Sequence, residues 1–346
     1  MNSRTMTGYA ASACLLLLCI TGCHQVTEYR SGDLTRITLV RSSDFQVEGI
    51  MEDFEMGRTM FSDGPGGLIL VTAEGRLHRI DFASMSEDTS YLIGGSSGDG
   101  YGDGVIDLSG DLYVLGPGSQ VIEVDLTTDE VVDGFVPGPD PVAICASPNW
   151  PRLYFADGTG FIGEIWTSDN HTGFTTNLGA TPADIMVEPA GGRYVIAGCT
   201  DGGGSLYGIY LDISQYSRKL TIDAGSPCSG ILPFGIDSSF AVACPCWTGD
   251  HGYVCTCRGY LDTLIVTSRE VQGHPVDLSF NPTPGYLGYL HVLSRTDEGN
   301  TVISVFEFPL SYTVPELVTT VQLDGFPRDI ISPGDGEYII VLTSDI

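Results

Sequence analysis

The most constraining feature of this chain is a segment that recurs seven times between residue 58 and the C-terminus. Each copy opens near a Pro, enters an apolar strand, turns at Pro, Gly or Asp, and continues into a strand rich in aromatic residues, Leu and Val. The clear copies begin at Pro141, Pro182, Pro275 and Pro327, and weaker ones begin at Arg58, Asp103 and Ser229. Two further alternating or β-branched strands follow each opening, and no segment shows a sustained helical period. Four strands per repeat at this spacing are typical of a propeller blade.

The final copy ends after two strands, and the N-terminal part of the chain supplies the missing pair. The sequence DLTRITLVRS, followed by DFQVEGI, matches GRLHRIDFAS followed by TSYLIGG in the next repeat. Residues 33–50 are therefore expected to form the outer strands of the blade whose inner pair is 327–344. The prediction is an all-β fold: a seven-bladed β-propeller of four-stranded blades over residues 33–346, closed by pairing N-terminal outer strands with C-terminal inner strands.

The openings x-Pro-x-Asp-Ile/Leu and the second strands of type P-x-G-x-x-Tyr-Val resemble the YVTN-repeat propellers, and NHL-type propellers are similar. Three copies carry the Asp, at Asp184, Asp277 and Asp329, whereas the others have Ala143, Gly230, Val105 and Thr59 there. We expect the three aspartates to cap turns inside blades. The resemblance implies a fold and little about activity, because such propellers host binding, scaffolding and enzymatic roles alike.

The N-terminal 22 residues resemble a bacterial lipoprotein signal peptide. A short stretch with Arg4 precedes an apolar run that is too short to span a bilayer, and the run ends at Ile20-Thr21-Gly22-Cys23, which resembles a lipobox. This resemblance implies that Cys23 is lipidated and that residues 23–32 form a polar tether. The expected location is the bacterial cell envelope, at the outer membrane in a Gram-negative cell because position 24 is His.

The charge of the chain limits its partners. With 44 acidic residues against 15 Lys and Arg, the net charge is −29, which would repel nucleic acid and anionic headgroups. Cations, basic partners or a saline habitat are compatible with it. The loops expected on one propeller face are rich in Asp, either as turn residues or as a recognition surface. The candidate binding residues there are Asp201, Asp250, His251 and Asp297.

The loop GDGYGDG at 98–104 resembles part of the calcium repeats of thrombospondin-like proteins. Asp99 and Asp103 are its candidate Ca²⁺ ligands, because a Gly-rich loop lets carboxylate and carbonyl oxygens converge on a hard cation. An ordinary Asp-Gly turn is the alternative, since the upstream Asp residues of those repeats are absent here. No other cofactor is expected.

Four cysteines lie close together in Cys244-Pro-Cys246 and Cys255-Thr-Cys257. A hairpin centred between Asp250 and His251 would place 246 opposite 255 and 244 opposite 257. Two disulfides are then favoured in an oxidising compartment, and a Zn²⁺ site is the alternative. Three more cysteines are either buried thiols or one further bridge with a free thiol: Cys145, Cys199 and Cys228.

No nucleophile or metalloprotease motif occurs in the chain. The favoured function is therefore a non-catalytic binding or scaffolding module, monomeric and anchored to the membrane by its lipid, with a protein, glycan or cation on its acidic loop face. The alternative is a metal-dependent propeller hydrolase or lyase of the lactonase type, which would need carboxylates from several blades to converge in the central funnel. A subunit of a larger envelope complex is a third possibility.

Overall fold

A computed structural model describes most of the chain from Leu34 to Asp345. The described residues are 34–64, 66–82, 84–94, 101–188, 192–200, 205–211, 217–221, 228–233, 240–244, 251–258, 265–282, 288–308, 315–333 and 336–345. Every regular element in them is a β-strand. No helix in this described part has the length and apolarity needed to cross a membrane.

The strands form antiparallel four-stranded sheets, and consecutive strands pair with one another. The first sheet consists of β3 (Gly57–Ser62), β4 (Gly67–Thr72), β5 (Arg76–Asp81) and β6 (Ser86–Leu92). The second consists of β7 (Gly104–Ile106), β8 (Asp111–Gly116), β9 (Gln120–Asp125) and β10 (Glu130–Phe135). The third consists of β11 (Pro141–Ala146), β12 (Arg152–Asp157), β13 (Phe161–Trp166) and β14 (His171–Asn177).

The fourth sheet consists of β15 (Pro182–Val187), β16 (Tyr194–Cys199), β17 (Ser205–Tyr210) and β18 (Ser217–Thr221). The fifth consists of β19 (Gly230–Pro233), β20 (Phe240–Cys244), β21 (His251–Arg258) and β22 (Ile265–Gln272). The sixth consists of β23 (His274–Asn281), β24 (Gly288–Arg295), β25 (Thr301–Phe308) and β26 (Glu316–Leu323). The closing sheet combines both ends of the chain: β27 (Phe326–Ile331), β28 (Tyr338–Ser344), β1 (Leu34–Arg41) and β2 (Val47–Glu55).

The first strand of each sheet, β27 in the closing sheet, is innermost, and these strands contact one another around a central channel. The apolar core lies between neighbouring sheets. On β4, Leu68 and Leu70 pack towards the closing sheet, whereas Ile69 and Val71 pack towards the second sheet. Because both faces of such a strand are covered, its sequence is apolar at consecutive positions. The outer strands are polar or exposed, as in β6 and β10.

The expected count of seven equivalent blades is corrected by the structure. Six sheets, namely the first to fourth, the sixth and the closing sheet, have side chains described on their three innermost strands. The fifth sheet is set apart only because the side chains of β20 lie outside the description, although its four strands pair in order. The sheets are also all open, with a linear strand order, so no sheet is closed on itself. The all-β propeller is therefore confirmed, with six blades whose inner strands are described with their side chains.

The N-terminal strands complete the closing sheet. β1 pairs with β28 in an antiparallel register that runs from Thr35 opposite Ser344 to Arg41 opposite Tyr338. On its other edge β1 pairs with β2. The buried side chains Ile37 and Leu39 then join the core between the closing and first sheets.

A second set of contacts connects four of the sheets to the preceding sheet near the outer rim. The hairpins between the third and fourth strands of four sheets carry a non-glycine residue with positive φ: Phe45, Met85, Asp129 and Asn170. Asn170 of the third sheet donates to Glu123 of the second, and Asp129 of the second pairs with Arg79 of the first. Phe45 packs edge-on against Tyr289 of the sixth sheet. Left-handed turns suit Asn and Asp, so Phe45 and Met85 are the unusual members.

Candidate functional site

The central channel brings together four buried carboxyl groups from different sheets. A cavity of about 390 Å³ is lined by carboxylates from four sheets, Asp103, Asp184, Asp277 and Asp329, together with two guanidinium groups, Arg58 and Arg328. A β-bulge places each of the last three aspartates, because the register shifts directly after the preceding Pro in β15, β23 and β27. Pro lacks the N–H needed for a regular ladder, and the bulge re-aims the next side chain.

Each channel aspartate connects two neighbouring sheets. Asp184 Oδ1 accepts the N–H of Ile185 at 2.7 Å, and its Oδ2 accepts the N–H of Ile231 in the fifth sheet at 2.7 Å. Asp277 likewise accepts the N–H groups of Leu278 at 2.7 Å and Ile330 at 3.1 Å. The carboxylate therefore satisfies two backbone donors that a regular ladder would leave unpaired.

The other two aspartates repeat the arrangement. Asp103 accepts the N–H groups of Gly104 at 2.8 Å and Ile144 at 3.0 Å, which joins the second sheet to the third. Asp329 accepts the N–H of Met60 at 2.6 Å, which joins the closing sheet to the first across 269 positions of sequence. The expectation that these aspartates cap turns inside blades was therefore wrong, because one oxygen of each bonds to the next sheet.

Burial raises the pKa of all four carboxyl groups. Burial raises the pKa of Asp103 to about 6, and burial together with the charge of Asp103 raises the pKa of Asp184 to about 8. Burial and the neighbouring Asp329 raise the pKa of Asp277 well above its usual range, and burial also raises the pKa of Asp329. The physical cause is the cost of holding several negative charges in a narrow, poorly solvated channel.

The carboxylates of the channel come from different sheets, as the hydrolase alternative requires. Their oxygens, however, already accept backbone N–H groups. Among the residues that the structure describes, no group of three or more His, Cys, Asp or Glu side chains is arranged to hold a metal ion. The arrangement seen is suited to holding the ring of sheets together.

The candidate calcium ligands are not brought together within the described part of the chain. Asp99 lies outside the described residues. Asp103 directs one oxygen to Gly104 and the other to the third sheet. Sequence reasoning had aligned Val105 with the repeat aspartates, and so missed Asp103 as the fourth member. The signal that identifies Asp103 is the sequence Asp-Gly-Val-Ile, in which the Asp lies two residues before the position that was aligned with the other aspartates.

One end of the propeller carries the loops that lead into the first strand of each sheet and the loops between the second and third strands. This end, the first loop face, contains exposed carboxylates. Asp297 lies there with 57% of its side chain exposed, 3.0 Å from Nε2 of His274. Asp201 and Asp250 lie outside the described residues, and His251 is described only as the first residue of β21. Four exposed acidic residues of this face form no ion pair with described residues: Glu74, Asp140, Glu298 and Asp324.

The opposite loop face is also acidic, but its carboxylates are used locally. Asp107 accepts the N–H groups of Ser109 and Asp111, and Asp44 accepts the N–H of Gln46. The described connections of the first face, in contrast, contain no Lys or Arg. The first loop face therefore combines unpaired carboxylates with an absence of Lys and Arg in its described loops.

The predicted cysteine ladder is corrected by the strand register. β20 and β21 pair with Cys244 opposite Tyr253, Val242 opposite Cys255, and Phe240 opposite Cys257. No two cysteines face each other there, and Cys257 is a free thiol. Cys246 lies outside the described residues. Cys255 and Cys257 are fully buried beside Cys228 in the core between the fourth and fifth sheets, so apolar burial and not a covalent ladder accounts for this register.

Cys145 and Cys228 are also free thiols in the described structure. Cys199 and Cys228 are buried, and Cys145 is half-buried. Burial raises the pKa of the Cys145 and Cys257 thiols well above the usual value, so both are unreactive at neutral pH.

Comparison with known proteins supports the fold alone. No protein-family model matches the chain, and no curated protein sequence matches it significantly. Among solved structures, Kuenenia stuttgartiensis hydrazine synthase superposes with a TM-score of 0.69 and 14% identity, covering 83% of this chain and 94% of that one. The Myceliophteria thermophila Cps50 (Swd1) β-propeller domain gives 0.62 and 12%, covering 82% and 96%. The RRP9 WD40 repeats give 0.63 and 8%, covering 84% and 94%.

These likenesses establish a β-propeller built from repeats. They do not distinguish the YVTN or NHL families and say nothing of a signal peptide. A propeller is compatible with a binding or scaffolding module.

Proposed function

We propose that this protein is a non-catalytic binding propeller of the bacterial cell envelope, and that its acidic loop face recognises a basic protein partner. The observation that carries the proposal is the set of unpaired, exposed carboxylates at Glu74, Asp140, Glu298 and Asp324 on a face whose described loops contain no Lys or Arg. Exposed carboxylates without local partners attract a cationic surface and increase its rate of association.

The channel favours binding over the hydrolase alternative. Its four carboxylates are already engaged with backbone N–H groups of two sheets each. A catalytic metal would have to compete with these bonds, and losing them would separate neighbouring sheets. The channel aspartates are therefore assigned a structural role, and recognition is assigned to the loop face.

The test uses a decalysine peptide as the probe, with binding measured by isothermal titration at two salt concentrations. In the face variant, Glu74→Gln, Glu298→Gln and Asp324→Asn are combined. The matched control combines Asp88→Asn, Glu130→Gln and Glu316→Gln, which are exposed on outer strands and change the net charge equally. We expect the face variant to bind about tenfold more weakly than the control, because a local charge cluster is lost. Equal affinities, or no binding by the unaltered protein, would refute the proposal.

Anchoring is tested separately at Cys23. We expect the mature protein to begin at Cys23 and to carry acyl chains, because Ile20-Thr21-Gly22-Cys23 resembles a lipobox. Intact-mass analysis of membrane-extracted protein measures this directly. The Cys23→Ser variant should lose the acyl mass, and an unmodified soluble form beginning elsewhere would contradict the anchor.

A further inference from the structure

A second cavity lies at the outer rim, between the closing sheet and the first sheet. It has a volume of about 580 Å³, and its lining includes β2, β5 and the hairpin that follows β5. Glu74 lines this cleft and also belongs to the first loop face, so the cleft is continuous with that face. The channel and the loop face described above give its other lining residues no role.

The cleft is elongated along β2. At one end the Met85 side chain lies against Gly49, since a Cβ on Gly49 would be 2.7 Å from the Met85 methyl group. At the other end the ring of Phe54 contacts the ring of His78 edge-on, with the ring centres 5.5 Å apart. Gly49 and Phe54 belong to the same strand, and the strand rise separates them by roughly 15 Å. An occupant that uses both ends is therefore an extended segment.

The two ends differ in chemical character. Met51 lies on the same face of β2 as Gly49, since Gly49 pairs with Leu39 and Met51 with Ile37. Met51 and Met85 make this end of the cleft apolar, and their flexible thioether side chains adapt to an apolar partner. The end beside Phe54 contains polar groups, which include His78, Glu87 and Ser90.

The polar end contains a buried acceptor that lacks a donor. His78 is only 8% exposed, and its Nδ1 lies 3.2 Å from Oε1 of Glu87. Although burial raises the pKa of Glu87, hydrogen bonds from Ser90 and His78 bring that pKa below its ordinary value, so the carboxyl group is ionised. An ionised carboxylate only accepts, so Nδ1 carries the proton and the Nε2 of the neutral ring presents a lone pair. Nε2 is buried and has no hydrogen-bond partner in the described part of the protein.

A cationic N–H donor fits this end of the cleft. It would satisfy the lone pair of Nε2, which is costly to leave unpaired in a buried position. Glu52 already pairs with Arg36 at 3.0 Å, which leaves Glu74 and Glu87 against Arg76 as the charges of the lining. A lysine ammonium directs three donors tetrahedrally, which suits one lone pair and a carboxylate, whereas the planar fork of arginine suits two parallel acceptors.

The source of the lysine is a partner of basic character. A second copy of this chain is a poor source, because Lys219 is its single lysine and the net charge of −29 makes two copies repel each other. Resting on the proposed function, we propose that the cleft binds an extended segment of the basic partner. A lysine of that segment donates to His78 Nε2, and an aliphatic side chain packs against Met51 and Met85. A spacing of four residues between these anchors, about 13 Å, fits the length of the cleft.

The test uses two pentapeptides, one for each direction of the segment along β2: acetyl-Lys-Ser-Ser-Ser-Leu-amide and acetyl-Leu-Ser-Ser-Ser-Lys-amide. The full mature protein is labelled with ¹³C-methyl methionine and ¹⁵N-histidine. We expect one of the peptides to shift the methyl resonances of Met51 and Met85 and the Nε2 resonance of His78 together, along one saturating curve. Met60 is the internal reference, because it lies in the same core cluster but does not line the cleft.

Peptide variants test each anchor without altering the protein. Norleucine in place of the lysine should weaken binding at least about tenfold, because the charge-assisted hydrogen bond is lost. Serine in place of the leucine should weaken it about tenfold, because less apolar surface is buried. On the protein, Glu87→Gln should weaken binding about fivefold through the lost charge. The matched control is Glu316→Gln on the exposed strand β26, which should bind as the unaltered protein does.

Decalysine separates this inference from the proposed function. If decalysine binds but neither pentapeptide moves the Met85 and His78 resonances, the loop face binds a basic partner and the cleft proposal is overturned. Equal affinity of the norleucine peptide would also overturn it. Met51 and Met85 shifts that grow with protein concentration in the absence of peptide would do the same, because they would place a second copy of the chain in the cleft.

Discussion

Removal of the first two strands, Leu34–Glu55, is expected to abolish cooperative folding. Strand β1 buries Ile37, Leu39 and Val40, each 3% exposed or less. Each side chain contributes about 1.5–3 kcal/mol on burial, so their combined loss of about 6 kcal/mol is comparable with the whole stability of many domains. The deletion also exposes the edge of β28, which offers unpaired N–H and C=O groups to other chains.

Size-exclusion chromatography and thermal denaturation measure this effect. The shortened protein should aggregate and lose its sigmoidal melting transition. A protein that lacks only residues 24–32 is the control, and it should melt as the mature protein does. If the strand deletion gave a monomer with an unchanged melting temperature, the pairing of β1 with β28 would not contribute to stability.

The second large effect is a loss of stability as the pH rises from about 5 to about 8. The folded-state pKa values of Asp103, about 6, and Asp184, about 8, lie above the ordinary value of about 3.9. The folded state therefore binds more protons than the unfolded state in this window, and stability falls as pH increases. The stabilisation is fully present near pH 4 and is lost as the pH passes through the folded-state pKa values. After allowance for screening by channel water, Asp184 alone should account for about 2 kcal/mol.

Guanidinium denaturation at pH 5 and pH 8 measures this change, and the variant Asp184→Asn assigns it. The variant should be less stable than the wild type at pH 5, because an amide has one oxygen for the two N–H groups of Ile185 and Ile231. Its stability should also change less between the two pH values. Asp324→Asn, on an exposed loop, should keep the wild-type dependence. A pH profile that Asp184→Asn leaves unaltered would show that the channel carboxyls do not carry the effect.

The propeller itself was predictable because its signals are local. Apolar runs such as Leu68–Val71 have both faces covered, and each Pro-containing opening marks the start of an inner strand. The match between the first and last strands required only the repeat pattern. The prediction of seven equivalent blades was wrong, because a repeat pattern reports how often a segment recurs and not how completely each copy forms a blade.

The functional details were harder to predict because they depend on which sheets touch. The fourth channel aspartate, Asp103, escaped notice because its repeat is displaced by two residues, and its partner Ile144 lies 41 residues away in another sheet. The cysteine register failed for a related reason. The loop length between β20 and β21 sets the pairing, and a hairpin centre estimated from sequence alone placed Cys244 opposite the wrong residue.

The sequence by itself determined that this chain folds into a ring of β-sheets, because strand periodicity, turn residues and repeats act over a few residues each. Only the tertiary structure decided what the buried polar groups do. Asp329 reaches Met60 across the closure of the ring, and Met85 reaches the strand that carries Met51. Such contacts arise where two sheets pack, and their partners are fixed by register and sheet order, which a local pattern does not encode.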